Sequence, residues 1–156
     1  IGVNTHSSNK IVHHALKNNL IDELKDFSEI KPEVKFGDNT RFDFLVLKKK
    51  YKAFIEVKNV TLSRKKEIAE FPDAVTARGL KHINELVKAS KKNYKIFILY
   101  LIQRDDCKSF TIAKDIDPAY SAALNKAVKN KLNILCYDCK FSSKGIKLNN
   151  KINVKI

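Results

Sequence analysis

The stretch from Arg41 to Lys58 constrains the fold more than any other part of the chain. It reads Arg-Phe-Asp-Phe-Leu-Val-Leu, then three lysines, then Tyr-Lys-Ala-Phe-Ile-Glu-Val-Lys. Two runs rich in β-branched and aromatic residues flank a short basic turn, a pattern that predicts an antiparallel hairpin. Asp43, Glu56 and Lys58 sit among its apolar residues. With the turn centred on Lys49-Lys50, Lys48 pairs with Tyr51, Leu47 pairs with Lys52, and Asp43 falls opposite Glu56. Residues two apart in a strand share a face, so Lys58 points the same way as Glu56.

Two carboxylates in that relation demand an explanation. Side chains directly opposite in an antiparallel pair start roughly 5 Å apart, and like charges there are destabilising. At an effective dielectric near 20 the repulsion is on the order of 3 kcal/mol. A raised pKa, a bound cation or a different register would relieve it. A divalent metal fits the chemistry, because Mg²⁺ is held by one or two carboxylates together with waters and substrate phosphate. Lys58 would then stand beside the metal, placed to orient a water or meet a phosphate. The competing reading is plain: Glu-x-Lys is a common tripeptide, and alternating charges on a solvated strand face are ordinary. The turn also lacks the Gly or Asn that tight hairpins favour, which leaves the register open.

The rest of the chain reads as an α/β layer around this hairpin. Ser7 or Ser8 can cap a helix over about residues 9–18, in which Ile11, Val12, Ala15 and Leu16 have helical spacing. His13 and His14 lie side by side in it, about 100° apart, and cannot readily chelate one ion. Residues 21–27 suggest a short helical turn that carries Glu23. A strand is expected over 31–36, followed by a Gly37-Asp38-Asn39 turn. Residues 59–70 are polar and charged, with Arg64, Lys65 and Lys66 in a row, and read as a basic loop beside the hairpin. A helix over 76–90 places Leu80, Ile83, Val87 and Ser90 on one side and Arg78, Lys81, His82 and Glu85 on the other. Gly79 inside it points to a close approach, by the hairpin or by a nucleic-acid backbone. Residues 94–102 are apolar almost throughout and predict a buried strand. It ends in Gln103-Arg104, where α/β folds place site residues, so Gln103 is a candidate substrate-side hydrogen bonder. Asp117 and Pro118 open a third helix. Strands over 132–141 and 146–148 complete the chain.

Charge bears on partners. The 156 residues carry 31 Lys and Arg against 17 Asp and Glu, a formal +14. Such an excess suits a polyanion, nucleic acid first and an anionic membrane surface second, although scattered lysines are also an ordinary solvated surface. Hydrophobic residues make up 44%, so a packed domain is expected. No apolar run is long enough to span a membrane. Three cysteines, Cys107, Cys136 and Cys139, argue against a disulfide framework and fit a reducing cytoplasm. Cys136 and Cys139 have the spacing of half a zinc knuckle, but residues three apart in a strand face opposite sides.

Asp43 with Glu56-x-Lys58 on a neighbouring strand resembles the PD-(D/E)XK nuclease core. Longer stretches resemble the sugar fermentation stimulation protein A family across essentially the whole chain. They are Gly2-Val3-Asn4-Thr5, Arg41-Phe42-Asp43-Phe44, Glu56-Val57-Lys58-Asn59-Val60-Thr61-Leu62 and Phe71-Pro72-Asp73-Ala74-Val75-Thr76-Ala77-Arg78-Gly79-Leu80-Lys81-His82, with Ile116-Asp117-Pro118-Ala119-Tyr120 further on. The run from Phe71 to His82 is the most specific. The resemblance implies a restriction-endonuclease-like mixed sheet with a central antiparallel hairpin flanked by helices. It implies Asp43, Glu56 and Lys58 as catalytic residues, with Mg²⁺ or Mn²⁺ held by Asp43, Glu56 and the backbone carbonyl of Val57. Arg78, Lys81 and His82 would face substrate phosphates, together with Arg41 and Gln103. The family also carries an N-terminal half resembling an OB-fold barrel, so residues 1–156 are expected to be a single nuclease-like domain of a longer protein. DNA is the expected partner, with a link to sugar metabolism. A non-catalytic DNA-binding regulator on the same scaffold is the alternative, and an RNA- or membrane-associated module the third.

Overall fold

The structure, a computed structural model, describes residues 5–156; the resembling residues Gly2, Val3 and Asn4 lie outside the described residues. Helix α1 (Thr5–Lys17) opens the described chain, and β1 (Glu29–Phe36), β2 (Thr40–Lys48) and β3 (Tyr51–Val60) follow as two consecutive hairpins. Next come β4 (Leu62–Lys65), β5 (Ile68–Phe71), α2 (Ala77–Ser90), β6 (Lys95–Ile102), β7 (Ser109–Ile112) and α3 (Pro118–Lys129), then β8 (Leu132–Ser142), β9 (Gly145–Lys151) and β10 (Asn153–Val154).

Six strands form the main sheet in the order β1-β2-β3-β6-β8-β9. The β1–β2–β3 hairpins and β8–β9 are antiparallel, whereas β3–β6 and β6–β8 are parallel. This is the mixed α/β sheet with a central antiparallel hairpin that the sequence predicts for a restriction-endonuclease-like core. Helices cover both faces. On β6, Ile96, Ile98, Tyr100 and Ile102 pack in one apolar cluster with Ile83 and Leu86 of α2 and Tyr120 and Leu124 of α3. Phe97, Leu99 and Leu101 pack in the other, with Ile11, Val12, Ala15 and Leu16 of α1. The near-continuous apolar run of β6 follows from burial on both faces. No described helix is long and apolar enough to cross a membrane.

The central register is the expected one: Lys48 pairs with Tyr51 and Leu47 with Lys52, and the ladder runs to Phe44 and Ile55. Lys49 occupies the tight turn with φ +53° and no glycine. The ladder stops one step before Asp43 and Glu56. On the other side of β2 the rung that would join Glu33 to Asp43 is also missing, and Glu33 has φ +50°. Phe42 and Phe44 are two apart, yet they pack into the clusters on opposite faces. Strand β2 therefore changes face at Asp43, which frees its carboxylate from the regular pleat.

Several expectations need correction. Helix α1 begins at Thr5, so Ser7 and Ser8 lie inside it rather than at its cap; its polar first turns carry no apolar stripe for periodicity to detect. Residues 21–27 form turns and no helix. Residues 59–70 are not a loop: β3 runs to Val60, and β4 and β5 form a hairpin in a second sheet, ordered β10-β7-β5-β4. Arg64 in β4 reaches Glu70 in β5 and Asp115 with nitrogen–oxygen distances of 2.7–2.9 Å, so the predicted basic loop is held by ion pairs. On α2 the buried face is Gly79, His82, Ile83, Leu86 and Ala89, so His82 does not share the exposed face of Arg78. Gly79 is closely approached, but by protein: a Cβ there would lie 2.9 Å from the Thr76 side chain and 3.2 Å from Tyr120.

The starts of α2 and α3 are tied together. Thr76 caps α2 by accepting from the Gly79 N–H, and the Thr76 N–H donates to one oxygen of Asp117. The other Asp117 oxygen caps α3 by accepting from the Tyr120 N–H. One carboxylate thus fixes the entry of both helices, including the turn that carries Arg78, Lys81 and His82.

Candidate functional site

Asp43 and Glu56 meet where β2 leaves the ladder. The Asp43 N–H donates to Glu56 Oε1 at 3.3 Å, and the Val57 N–H donates to Asp43 Oδ2 at 2.8 Å. Asn9 of α1 donates to the other Asp43 oxygen, Oδ1, at 3.0 Å. Glu56 Oε2 receives Lys58 Nζ at 3.4 Å and is in contact with His82 Nδ1, and Lys58 Nζ lies 3.1 Å from the same His82 nitrogen. The hairpin supplies the carboxylates and lysine, α1 supplies Asn9, and α2 supplies His82.

The two carboxylates are not equivalent. Burial, reinforced by the neighbouring Glu56 charge, pushes Asp43 up to about 7. Burial also pushes Glu56 upward, but His82 and Lys58 outweigh it and hold Glu56 below its ordinary value. Of the two, Asp43 is therefore the carboxyl that holds a proton more tightly than usual, as expected when like charges share a site and only one has compensating partners. Of the three remedies for the like-charge pair, the structure displays the raised pKa in the expected register.

The donor set decides whether a divalent cation fits. Among the described residues no three His, Cys, Asp or Glu side chains converge as a metal site. Two acidic oxygen donors on neighbouring strands suit a hard ion that completes its shell with backbone carbonyl, water and phosphate, as Mg²⁺ and Mn²⁺ do, and do not suit a closed zinc site. Cys136 and Cys139 are buried on opposite faces of the main sheet and form no knuckle.

The other sequence-predicted residues fall in two places. Arg41, Arg78, Lys81 and His82 line one cleft of about 560 Å³ between the β1–β2 turn and α2. Arg41, Arg78 and Lys81 are exposed there, and Lys81 donates to the Asn39 carbonyl at 2.9 Å. His82 is buried, with its Nδ1 turned to Glu56. Gln103 is not part of the cleft. It is buried at the exit of β6, where its Nε2 donates to Ser8 Oγ at 2.9 Å and Ser8 Oγ donates to Asn59. His13 packs against the Phe44 ring and His14 hydrogen-bonds Asn18, while Glu23 pairs with Lys151 and Tyr137. None of these three joins the carboxylate site.

Sequence reasoning missed Asn9, Ser8, Lys35 and Thr40. Asn9 bonds a residue 34 positions away, a contact no local pattern announces. Lys35 had a usable signal, because the β1–β2 register sets it directly opposite Arg41.

Residues 6–145 match the family model for the sugar fermentation stimulation protein RE domain. The chain is similar to the sugar fermentation stimulation protein homolog of Pelagibacter ubique, 52% identical over 154 residues, covering 99% of this chain and 66% of that protein. The homolog of Roseobacter denitrificans is 41% identical over 156 residues, with the same coverage. Among solved structures, SfsA of Pyrococcus furiosus in complex with Ca²⁺ superposes with a TM-score of 0.90 at 26% identity, covering 99% of this chain and 66% of that one. The chain thus spans about two thirds of the length of the relatives it matches.

Proposed function

The chain belongs to the sugar fermentation stimulation protein family, and on that premise we propose that it is a DNA-binding protein with a metal-dependent phosphodiesterase core. The observation that carries this reading is the pairing of Asp43 with Glu56 across the hairpin, with Lys58 against Glu56. The Ca²⁺ complex of the Pyrococcus furiosus relative supports divalent binding in the same fold.

Asp43, Glu56 and the carbonyl of Val57 would hold Mg²⁺ or Mn²⁺. The bound ion supplies Lewis-acid polarisation of a phosphoryl oxygen and lowers the pKa of an attached water. Lys58 presents its ammonium beside Glu56, where it can orient a water or meet negative charge developing on the phosphate. Asn9 and the Val57 N–H fix the orientation of the Asp43 carboxylate. Arg41, Arg78 and Lys81 face the nucleic-acid backbone, and the +14 formal charge draws the polyanion in. His82 acts inward, on Glu56, rather than on phosphate.

The test is a supercoiled plasmid incubated with the purified protein and Mg²⁺ or Mn²⁺, with and without EDTA. Nicking or linearisation that requires the metal and is lost in Lys58→Ala is the expected result. A non-catalytic DNA-binding regulator is the second reading, favoured by one observation: His82 and Lys58 already occupy Glu56 Oε2. Salt-sensitive DNA binding without cleavage at any metal concentration selects it.

A further inference from the structure

The arginines separate into two kinds. There are four. Arg64 is held by Glu70 and Asp115, and Arg104 forms two hydrogen bonds to Asp106 at 2.8 and 2.7 Å. Arg41 and Arg78 have no carboxylate partner among the described residues, and both line the cleft between the β1–β2 turn and α2. Lys35 lines it too, directly opposite Arg41 across the hairpin, where like charges repel. Asp38 is the one acidic residue on its wall. Thr40 also lines the cleft. It is 4% exposed, and its hydroxyl is buried with no hydrogen-bond partner. Buried hydroxyls are ordinarily satisfied, and leaving one bare is unfavourable.

An unpaired guanidinium pair, a facing lysine and an orphan hydroxyl make the same demand: an acceptor-rich anion. We propose that this cleft is a discrete seat for one phosphate group, bound by Arg41, Arg78 and Lys35 with the Thr40 hydroxyl as a fourth donor. Guanidinium forks suit phosphate geometry, and a hydroxyl supplies the short neutral bond that a surface of lysines lacks. Lys81 is a wall of this seat rather than its floor, since it is bridged to the Asn39 carbonyl. His82 lines the cleft and touches Glu56, so the seat opens within one side chain of the carboxylate pair. The proposal rests on the nucleic-acid reading for its physiological ligand, but its binding chemistry needs neither metal nor cleavage.

The test uses the whole chain in EDTA and a short fluorescent duplex DNA. Arg41→Gln and Arg78→Gln should each weaken binding about tenfold and lower the salt slope by about one. Lys129→Gln, an exposed lysine in the last turn of α3, serves as the control for charge alone and should have a much smaller effect. Thr40→Val separates the seat from fold maintenance: it should leave the melting temperature equal or higher, because it deletes an unsatisfied hydroxyl, and yet weaken binding several-fold. Arginine variants that lose no more than Lys129→Gln, or a well-folded Thr40→Val protein that binds like wild type, overturn the proposal. Inorganic phosphate and a comparison of 5′-phosphorylated with 5′-hydroxyl duplex identify the source of the group. Competition by phosphate with a preference for the phosphorylated end marks a terminal phosphate, and equal binding of both ends marks a backbone phosphodiester. The metal-induced change in melting temperature is measured separately on wild type. Its absence alongside intact cleft effects removes the phosphodiesterase reading and leaves the phosphate seat standing.

Discussion

Asp43 and Glu56 face each other one step beyond the last paired rung of the β2–β3 hairpin, and Lys58 and His82 both contact Glu56 rather than Asp43. Asp43 is therefore the carboxyl of the pair that binds a proton more tightly than usual, its ordinary pKa near 3.8 pushed up to about 7.

This asymmetry sets a pH dependence. A carboxyl that binds its proton more tightly when folded stabilises the fold most at low pH and loses that contribution as pH rises through the folded pKa. Between about pH 4 and 7 the Asp43 contribution should decline by up to about 1.4 kcal/mol per pH unit, then level off. Asp43→Asn should remove that decline. The variant should gain melting temperature relative to wild type between pH 5 and pH 8, and equal slopes for the two proteins would count against the shifted carboxyl.

Metal should act on the same group in the opposite direction. At pH 8, Mg²⁺ or Mn²⁺ at about a hundred times its dissociation constant should stabilise wild type by roughly 2.7 kcal/mol through linkage. Asp43→Asn should show no such response. Thermal melts over a metal titration, read for both proteins, decide whether these carboxylates form a metal site at all.

Lys58→Ala and His82→Ala should separate chemistry from support. Lys58→Ala removes a cation beside Glu56, so metal binding should persist or tighten while metal-dependent nicking is lost. His82→Ala leaves the buried Glu56 carboxylate with one partner fewer, and should destabilise the apo protein by about 2 kcal/mol. It also removes the group that a cation must displace, so the stabilisation by metal should be larger than in wild type. Melting curves with and without Mn²⁺, beside the plasmid assay, distinguish the two.

Gly79→Ala should destabilise, against the ordinary preference of a helix interior for alanine. The new methyl group would press on the Thr76 side chain, which accepts the capping hydrogen bond from the Gly79 N–H, and on Tyr120. Loss of that cap costs about 1 kcal/mol. Denaturant titration of the single variant checks the sign.

The legible parts of this fold were those with local chemistry. Alternation on both sides of a short turn placed Asp43 opposite Glu56, and the Asp117-Pro118 pair marked the start of α3 at the observed residue. The β4–β5 hairpin was hidden because its charged residues are satisfied by one another: Glu70 is buried only because Arg64 reaches it across the turn. His82 was counted with the polar face of α2, since nothing local says that a histidine at that position will be covered by Glu56. Asn9 matters through a contact to Asp43 that exists only after the sheet has formed, and a single sequence carries no trace of it.

The strand β2 carries two opposite demands on one stretch of backbone. At Arg41 it faces Lys35, positive against positive; at Asp43 it faces Glu56, carboxyl against carboxyl. These positions are two residues apart, so their Cα atoms lie at most roughly 7 Å from each other, the span of fully extended chain. That interval is set by covalent geometry, and no helix shift or loop movement can stretch it. The strand is thus a ruler with its two marks of opposite sign, and only ligands whose charges fall at its interval can satisfy both ends together.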